Sequence, residues 1–119
     1  MKLNHLDLQV PDVQSTASFF VTHFDFTHQS NRKSPAIAIL SGSDGFTLVL
    51  QRNEDDEPYP DGFHLGFLVD DDAAVEAAHA RLKAANVSCS EPIRNGRGLA
   101  IYVAAPGDLL VEVSHPKKK

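Results

Sequence analysis

Near its N-terminus the chain alternates strictly, with His5, Asp7 and Gln9 polar and Leu6, Leu8 and Val10 apolar. A period of two predicts a strand with one face turned to a core. The spacing then changes. Val13, Ala17, Phe20, Val21 and Phe24 recur at helical intervals behind Asp12, a natural N-cap, and predict a helix over Val13–Phe24. Three short β-like runs follow, at about 26–30, 36–41 and 46–52. The stretch "NEDDEPYPDG", residues 53–62, carries charges, two prolines and a glycine and suits neither helix nor strand. After it the same order returns. "FHLGFLV" reads as a strand, an alanine-rich helix runs from about Asp72 to Ala85 and closes at Asn86, and β-like runs fall near 87–93, 99–104 and 109–114. The chain is therefore read as an α+β fold of two tandem β-α-β-β-β units, about 1–53 and 62–115, joined by a linker of about 54–61.

The repeat aligns at both ends. His5, Leu6, Leu8 and Val10 fall on His64, Leu65, Phe67 and Val69, and "DGFTLVL" at 44–50 falls on "GDLLVEV" at 107–113. Each unit thus opens its first strand with histidine, and Glu112 stands where the first unit has Val49. By strand parity Glu112 shares a face with Leu110 and Ser114, while Leu109, Val111 and Val113 pack on the other. A carboxylate among aliphatic neighbours in a central strand needs a partner.

Composition narrows the function. A chain of 119 residues can build one domain or two small halves. No apolar run approaches the roughly 18 residues of a membrane span, and "MKLNHLDLQV" lacks the features of a signal peptide. A single cysteine, Cys89, fits a reducing cytoplasm. The net charge of -5, with "KKK" at 117–119 as the only basic run, argues against nucleic acid as a partner.

Four stretches, in this order, carry a family resemblance: "NHLDLQVPD" on the first strand, "FFVTHFDF" at 19–26, "FHLGFLVDD" opening the second unit, and "YVAAPGDLLVEV" at 102–113. Together they resemble the vicinal oxygen chelate superfamily of glyoxalase I, fosfomycin-resistance transferases, extradiol dioxygenases and bleomycin-resistance proteins. Asp25 and "APGD" depart from the family's usual glycine and acidic turn, but Asp tolerates left-handed backbone and Gly107 still serves a turn. The resemblance implies curved sheets around a cavity, a small-molecule substrate, and a homodimer. It also implies a divalent metal (Zn, Mn, Fe, Ni or Co) held at His5, His64 and Glu112, with Val49 at the fourth family position. Imidazole nitrogens plus one carboxylate suit such ions and leave coordination positions open.

Further residues follow from the same comparison. Valine at 49 disfavours ordinary glyoxalase I chemistry, although Gln51, on the same face, is placed to touch substrate. Tyr102 matches a tyrosine that contacts substrate in the transferases and is the catalytic candidate. Asp7 stands where that family has threonine and is a substrate-binding candidate. Arg97, in "RNGRG", offers a planar fork for a carboxylate or phosphate, although an Asn-Gly turn with incidental charge explains the stretch as well. His23 and His79 on the predicted helices, His28 on an early strand and His115 beyond the last strand are explained by solvent exposure, and Cys89 reads as a small strand residue. The expected function is a metal-dependent lyase, transferase or dioxygenase acting on a small oxygenated molecule. The alternative is a metal-free protein that sequesters a small molecule.

Overall fold

A computed structural model of the chain describes residues 1–55 and 57–117. It divides into two compact units, the second beginning at Tyr59. Among the described residues no helix is long and apolar enough to cross a membrane.

In the first unit, β1 (His5–Val10) leads into α1 (Val13–Phe24), followed by β2 (Thr27–His28), β3 (Ile37–Ser41) and β4 (Thr47–Arg52). Asp12 caps α1 by accepting the Ser15 N–H at 3.0 Å, which satisfies one of the donors a helix start leaves open. Asp25 ends the helix in left-handed backbone at φ 59, the role its place in the sequence required. The four strands form a mixed sheet in the order β1-β4-β3-β2, with β1 and β4 parallel. Leu8, Val10, Ala38, Leu40, Leu48 and Leu50 point to the helix side and meet Val13, Ala17 and Phe20 in a buried core. Truncating a buried phenylalanine such as Phe20 to alanine costs about 3–5 kcal/mol.

The second unit repeats this plan with β5 (His64–Leu68), α2 (Asp72–Ala84), β6 (Ile93–Asn95), β7 (Gly98–Ala105) and β8 (Leu109–Pro116). Its sheet order is β5-β8-β7-β6, again with the first and last strands parallel. Asp71 caps α2 through the Ala74 N–H at 2.8 Å, and Val75 and Leu82 pack on a core that includes Leu99, Ile101, Val103, Leu109, Val111 and Val113.

The strand registers agree with the alignment of the two units. His5 pairs with Thr47 and Asp7 with Val49, while His64 pairs with Leu110 and Gly66 with Glu112. The turns agree as well. Asp44 and Gly45 lie at φ 57 and 76 before β4, and Gly107 and Asp108 at φ 76 and 60 before β8, so one double left-handed turn is written Asp-Gly in one unit and Gly-Asp in the other.

In each unit the run that follows the helix differs from expectation. Only Thr27–His28 of the stretch 26–30 is strand, and in 87–93 the counterpart is a lone bridge of Cys89 to Val103. The bonding is conserved even so, because Gln29 N–H donates to Ile39 and Ser90 N–H to Tyr102, both at 2.8 Å. The strand that does form, β6, makes a hairpin with β7 around "GR".

Candidate functional site

Each sheet turns one face to its helix and leaves the other open, and parity puts the candidate residues on the open faces. In the second unit His64 begins β5. Its Nδ1 lies 2.8 Å from the carbonyl oxygen of Gly62, a residue at φ +82 that brings this carbonyl back towards the ring. A carbonyl can only accept, so Nδ1 carries the proton and Nε2 of the neutral ring keeps its lone pair. That Nε2 stands 3.8 Å from Glu112 Oε1.

Glu112, in the middle of β8, has the partners its setting demanded. Oε2 accepts the Ser114 hydroxyl at 2.9 Å. Across the β7–β8 ladder lies Tyr102. Burial raises the Tyr102 phenol above its usual pKa, and the hydrogen bond and negative charge of Glu112 raise it further, while the Arg97 guanidinium pulls it down. His64, Glu112, Tyr102 and Arg97 are therefore brought into one neighbourhood of the second unit.

In the first unit His5 opens β1, exposed, its side chain without a hydrogen bond or ion pair among the described residues. Asp7, two residues on, accepts from Gln51 Nε2 at 2.5 Å and from Gln9 Nε2 at 3.4 Å. Asp7 and Gln51 thus act as one polar pair beside Val49, Ile37 and Ile39, an apolar patch on the same face.

The other histidines have structural partners. His28 Nε2 meets Gln14 Oε1 at 3.0 Å, His79 Nε2 meets Glu91 at 2.7 Å, and His115 donates from Nδ1 to Asp72 at 2.9 Å. His115 lies within β8, not beyond it. Simple exposure is thus replaced by specific bonds, to residues too distant in sequence for spacing to reveal.

As a test of metal fit, two donors each about 2 Å from one ion can stand as much as about 4 Å apart, a limit that the His64 Nε2 and Glu112 Oε1 pair meets. Neither unit by itself gathers three His, Cys, Asp or Glu side chains suited to an ion among the described residues. His64 and Glu112 form a two-donor fragment.

The model of the Glyoxalase/Bleomycin resistance protein/Dioxygenase superfamily matches residues 2–113. The chain belongs to this superfamily. No curated protein matches it in sequence. Among solved structures, a possible glyoxalase from Bacillus cereus is 31% identical with a TM-score of 0.83, covering 96% of this chain and 98% of that one. A lactoylglutathione lyase from Agrobacterium tumefaciens aligns at 17% identity and TM-score 0.78, covering 96% and 92%. The fosfomycin resistance protein FosX from Listeria monocytogenes aligns at 18% and 0.79, covering 98% and 94%. The last two show a shared fold. Within this glyoxalase-superfamily chain, the sequence pattern singled out His64, Glu112 and Tyr102 but not the residues that orient them. Gly62 ends a stretch whose composition says only that it suits neither helix nor strand, and no pattern marks Gly66.

Proposed function

We propose that the chain is a divalent-metal-dependent enzyme of glyoxalase/dioxygenase type acting on a small oxygenated substrate. His5, His64 and Glu112 hold the metal. The observation that carries this reading is the His64 ring, anchored through Nδ1 with Nε2 aimed at the Glu112 carboxylate. A backbone acceptor behind an imidazole is the usual support of a metal-ligating histidine. A bound Zn, Mn, Fe, Ni or Co ion supplies Lewis acidity towards substrate oxygens. The protein's own part is orientation and proton placement. With its pKa raised, Tyr102 keeps its proton at neutral pH and can donate to a substrate oxygen. Arg97, which has no carboxylate partner among the described residues, attracts an anionic group. Asp7 and Gln51 supply an acceptor and a donor for a hydroxyl. Reaction class lies among lyase, transferase and dioxygenase, and the working form is a cytoplasmic homodimer.

A second reading, a metal-free protein that sequesters a small molecule, draws on Val49, an apolar side chain at the repeat position of Glu112. One experiment separates the two. Native protein and the variants His5→Ala, His64→Ala and Glu112→Ala are stripped, reconstituted with each metal and analysed. Native protein should take up about one ion per chain and each variant much less, as expected when one of three ligands is removed. Folded native protein that stays metal-free with all five ions establishes the sequestering reading.

A further inference from the structure

The turn that leads into His64 carries an aromatic stack of its own. Pro60, Asp61, Gly62 and Phe63 form a β-turn closed by the Phe63 N–H, which donates to the Pro60 carbonyl at 3.0 Å. Gly62 takes the third position at φ +82, a conformation that glycine reaches without strain. Tyr59 and Phe63 flank Pro60–Gly62, and their rings lie face to face, centroids 4.9 Å apart and planes 15° from parallel. That spacing is one at which aromatic rings attract. Phe63 is exposed, so burial in the core is not what holds its ring. Pro60 restricts Tyr59 to extended backbone, which fixes the direction from which the second ring arrives.

Two acceptors face the His64 ring. The Gly62 carbonyl oxygen stands 2.8 Å from Nδ1, and Glu112 Oε1 stands 3.8 Å from Nε2. A neutral imidazole has one N–H. With the proton on Nδ1 the Nε2 lone pair faces Glu112; with the proton on Nε2 that lone pair is lost. The outcome depends on where the Gly62 carbonyl is held. This carbonyl shares one rigid peptide plane with the Phe63 nitrogen, the atom that closes the turn, so the turn bond and the acceptor for His64 move together.

We infer that Tyr59 and Phe63 are positioning residues: their stack keeps the Pro60–Phe63 turn closed, fixes the Gly62 carbonyl against His64 Nδ1 and so leaves Nε2 unprotonated, ready for a ligand. What Nε2 then binds rests on the proposed reading of His64 as a metal ligand. The tautomer itself is measured on metal-free protein.

Metal-free protein with isotope-labelled histidine is studied by NMR at a fixed alkaline pH, where imidazoles are neutral and the ring nitrogen shifts report which nitrogen bears the proton. The His64 signals are those lost in His64→Ala. Native His64 should be mainly the Nδ1–H form. Tyr59→Ala and Phe63→Ala should each move the equilibrium about two- to tenfold towards Nε2–H, the range that loss of an aromatic pair allows. The double variant should move it no further than either single change, because the stack is lost with its first ring. Tyr59→Phe and Phe63→Tyr keep both rings and should keep the native tautomer. Circular dichroism and thermal melts verify that each variant is folded.

Should Tyr59→Ala fail to fold, Tyr59→Leu removes the ring but keeps apolar bulk, and the same shift is expected. An Nε2–H form in the native protein, a native tautomer in the folded ring-deleted variants, or additive shifts in the double variant overturns the inference. Metal titration of the native protein is run alongside: failure to bind metal counts against the proposed function alone, and an unmoved tautomer counts against the stack alone.

Discussion

Gly66 lies directly across the β5–β8 ladder from Glu112, so the strand beside the glutamate offers no side chain at that level. A Cβ added at Gly66 would stand 3.0 Å from the Glu112 carbonyl oxygen and 3.3 Å from its Cβ. In the first unit the equivalent pair is Asp7 and Val49. One unit carries its carboxylate on the opening strand and the other on the closing strand, and in each the partner across the ladder is uncharged.

Room beside Glu112 is thus part of how it is held. Gly66→Val, branched at the crowded carbon, should push the Glu112 side chain away from His64 and lower metal affinity about 10–100-fold, the range seen when the support of a ligand is disturbed. Gly66→Ala should show a smaller loss in the same direction. Calorimetric metal titration, with thermal melts to show that both variants fold, measures this. Native affinity in a folded Gly66→Val would mean that Glu112 needs no such space.

Asp72 should leave a mark on acid stability. The hydrogen bond from His115, and after it the bond and charge of Arg94, hold its carboxyl below the usual range. A folded-state pKa below the unfolded one stabilises the fold above the unfolded value, about 3.9 for aspartate, and that contribution disappears as pH falls through the folded value. Urea unfolding of the native protein should therefore weaken as pH drops below about 4, and Asp72→Asn should show a shallower decline across that window. Equal slopes in the two proteins would mean that the Asp72 contacts do not persist in solution.

Much of this was legible in the sequence because it depends on local period and on repetition. Alternation in "HLDLQV" and helical spacing over Val13–Phe24 each set a face, and two copies of one pattern set the register of β1 on β4 and of β5 on β8. Asp25 and Asn86 could be placed as turn or cap residues because left-handed backbone admits few side chains. Long-range polar partners were beyond reach. Asp72 and His115 are 43 residues apart, Asp7 and Gln51 are 44 apart, and no periodicity announces such pairs. The turn at Gly62 that orients His64 was hidden for another reason: it sits in a charged, proline-rich stretch whose composition reads only as linker.

Whether one metal draws its ligands from one chain or two is open to a mixing experiment. Co-expressed His5→Ala and Glu112→Ala chains are purified as heterodimers. If the first unit of one chain works with the second unit of the other, one site collects both defects and the other is intact. Metal uptake should then return to about half the native level, each intact three-ligand set taking one ion. A verified heterodimer without recovery would show that each chain builds its own site.

The repeat makes one more demand, on Val49. It occupies the place of Glu112, on the face of its sheet away from α1, where it is largely buried at 9% exposure, while Leu48 is fully buried on the helix side. Val49→Glu should therefore present a carboxylate to the same face as His5 and act as an added metal ligand. Without metal the new charge is poorly compensated, and the variant should melt below the native protein. With metal it should recover, because an ion bound only by the folded state stabilises by mass action, about 2.7 kcal/mol at a hundredfold excess over Kd. The metal-induced rise in Tm should thus be larger in Val49→Glu than in the native protein. Leu48→Glu is the control: its carboxylate is forced into the core beneath α1, where no metal reaches, and it should be destabilised severely with or without ions. Rescue of Leu48→Glu by metal, or equal destabilisation of Val49→Glu with and without it, would show that Val49 and Glu112 do not serve one ion, and the ligand set of His5, His64 and Glu112 would lose its support from the repeat.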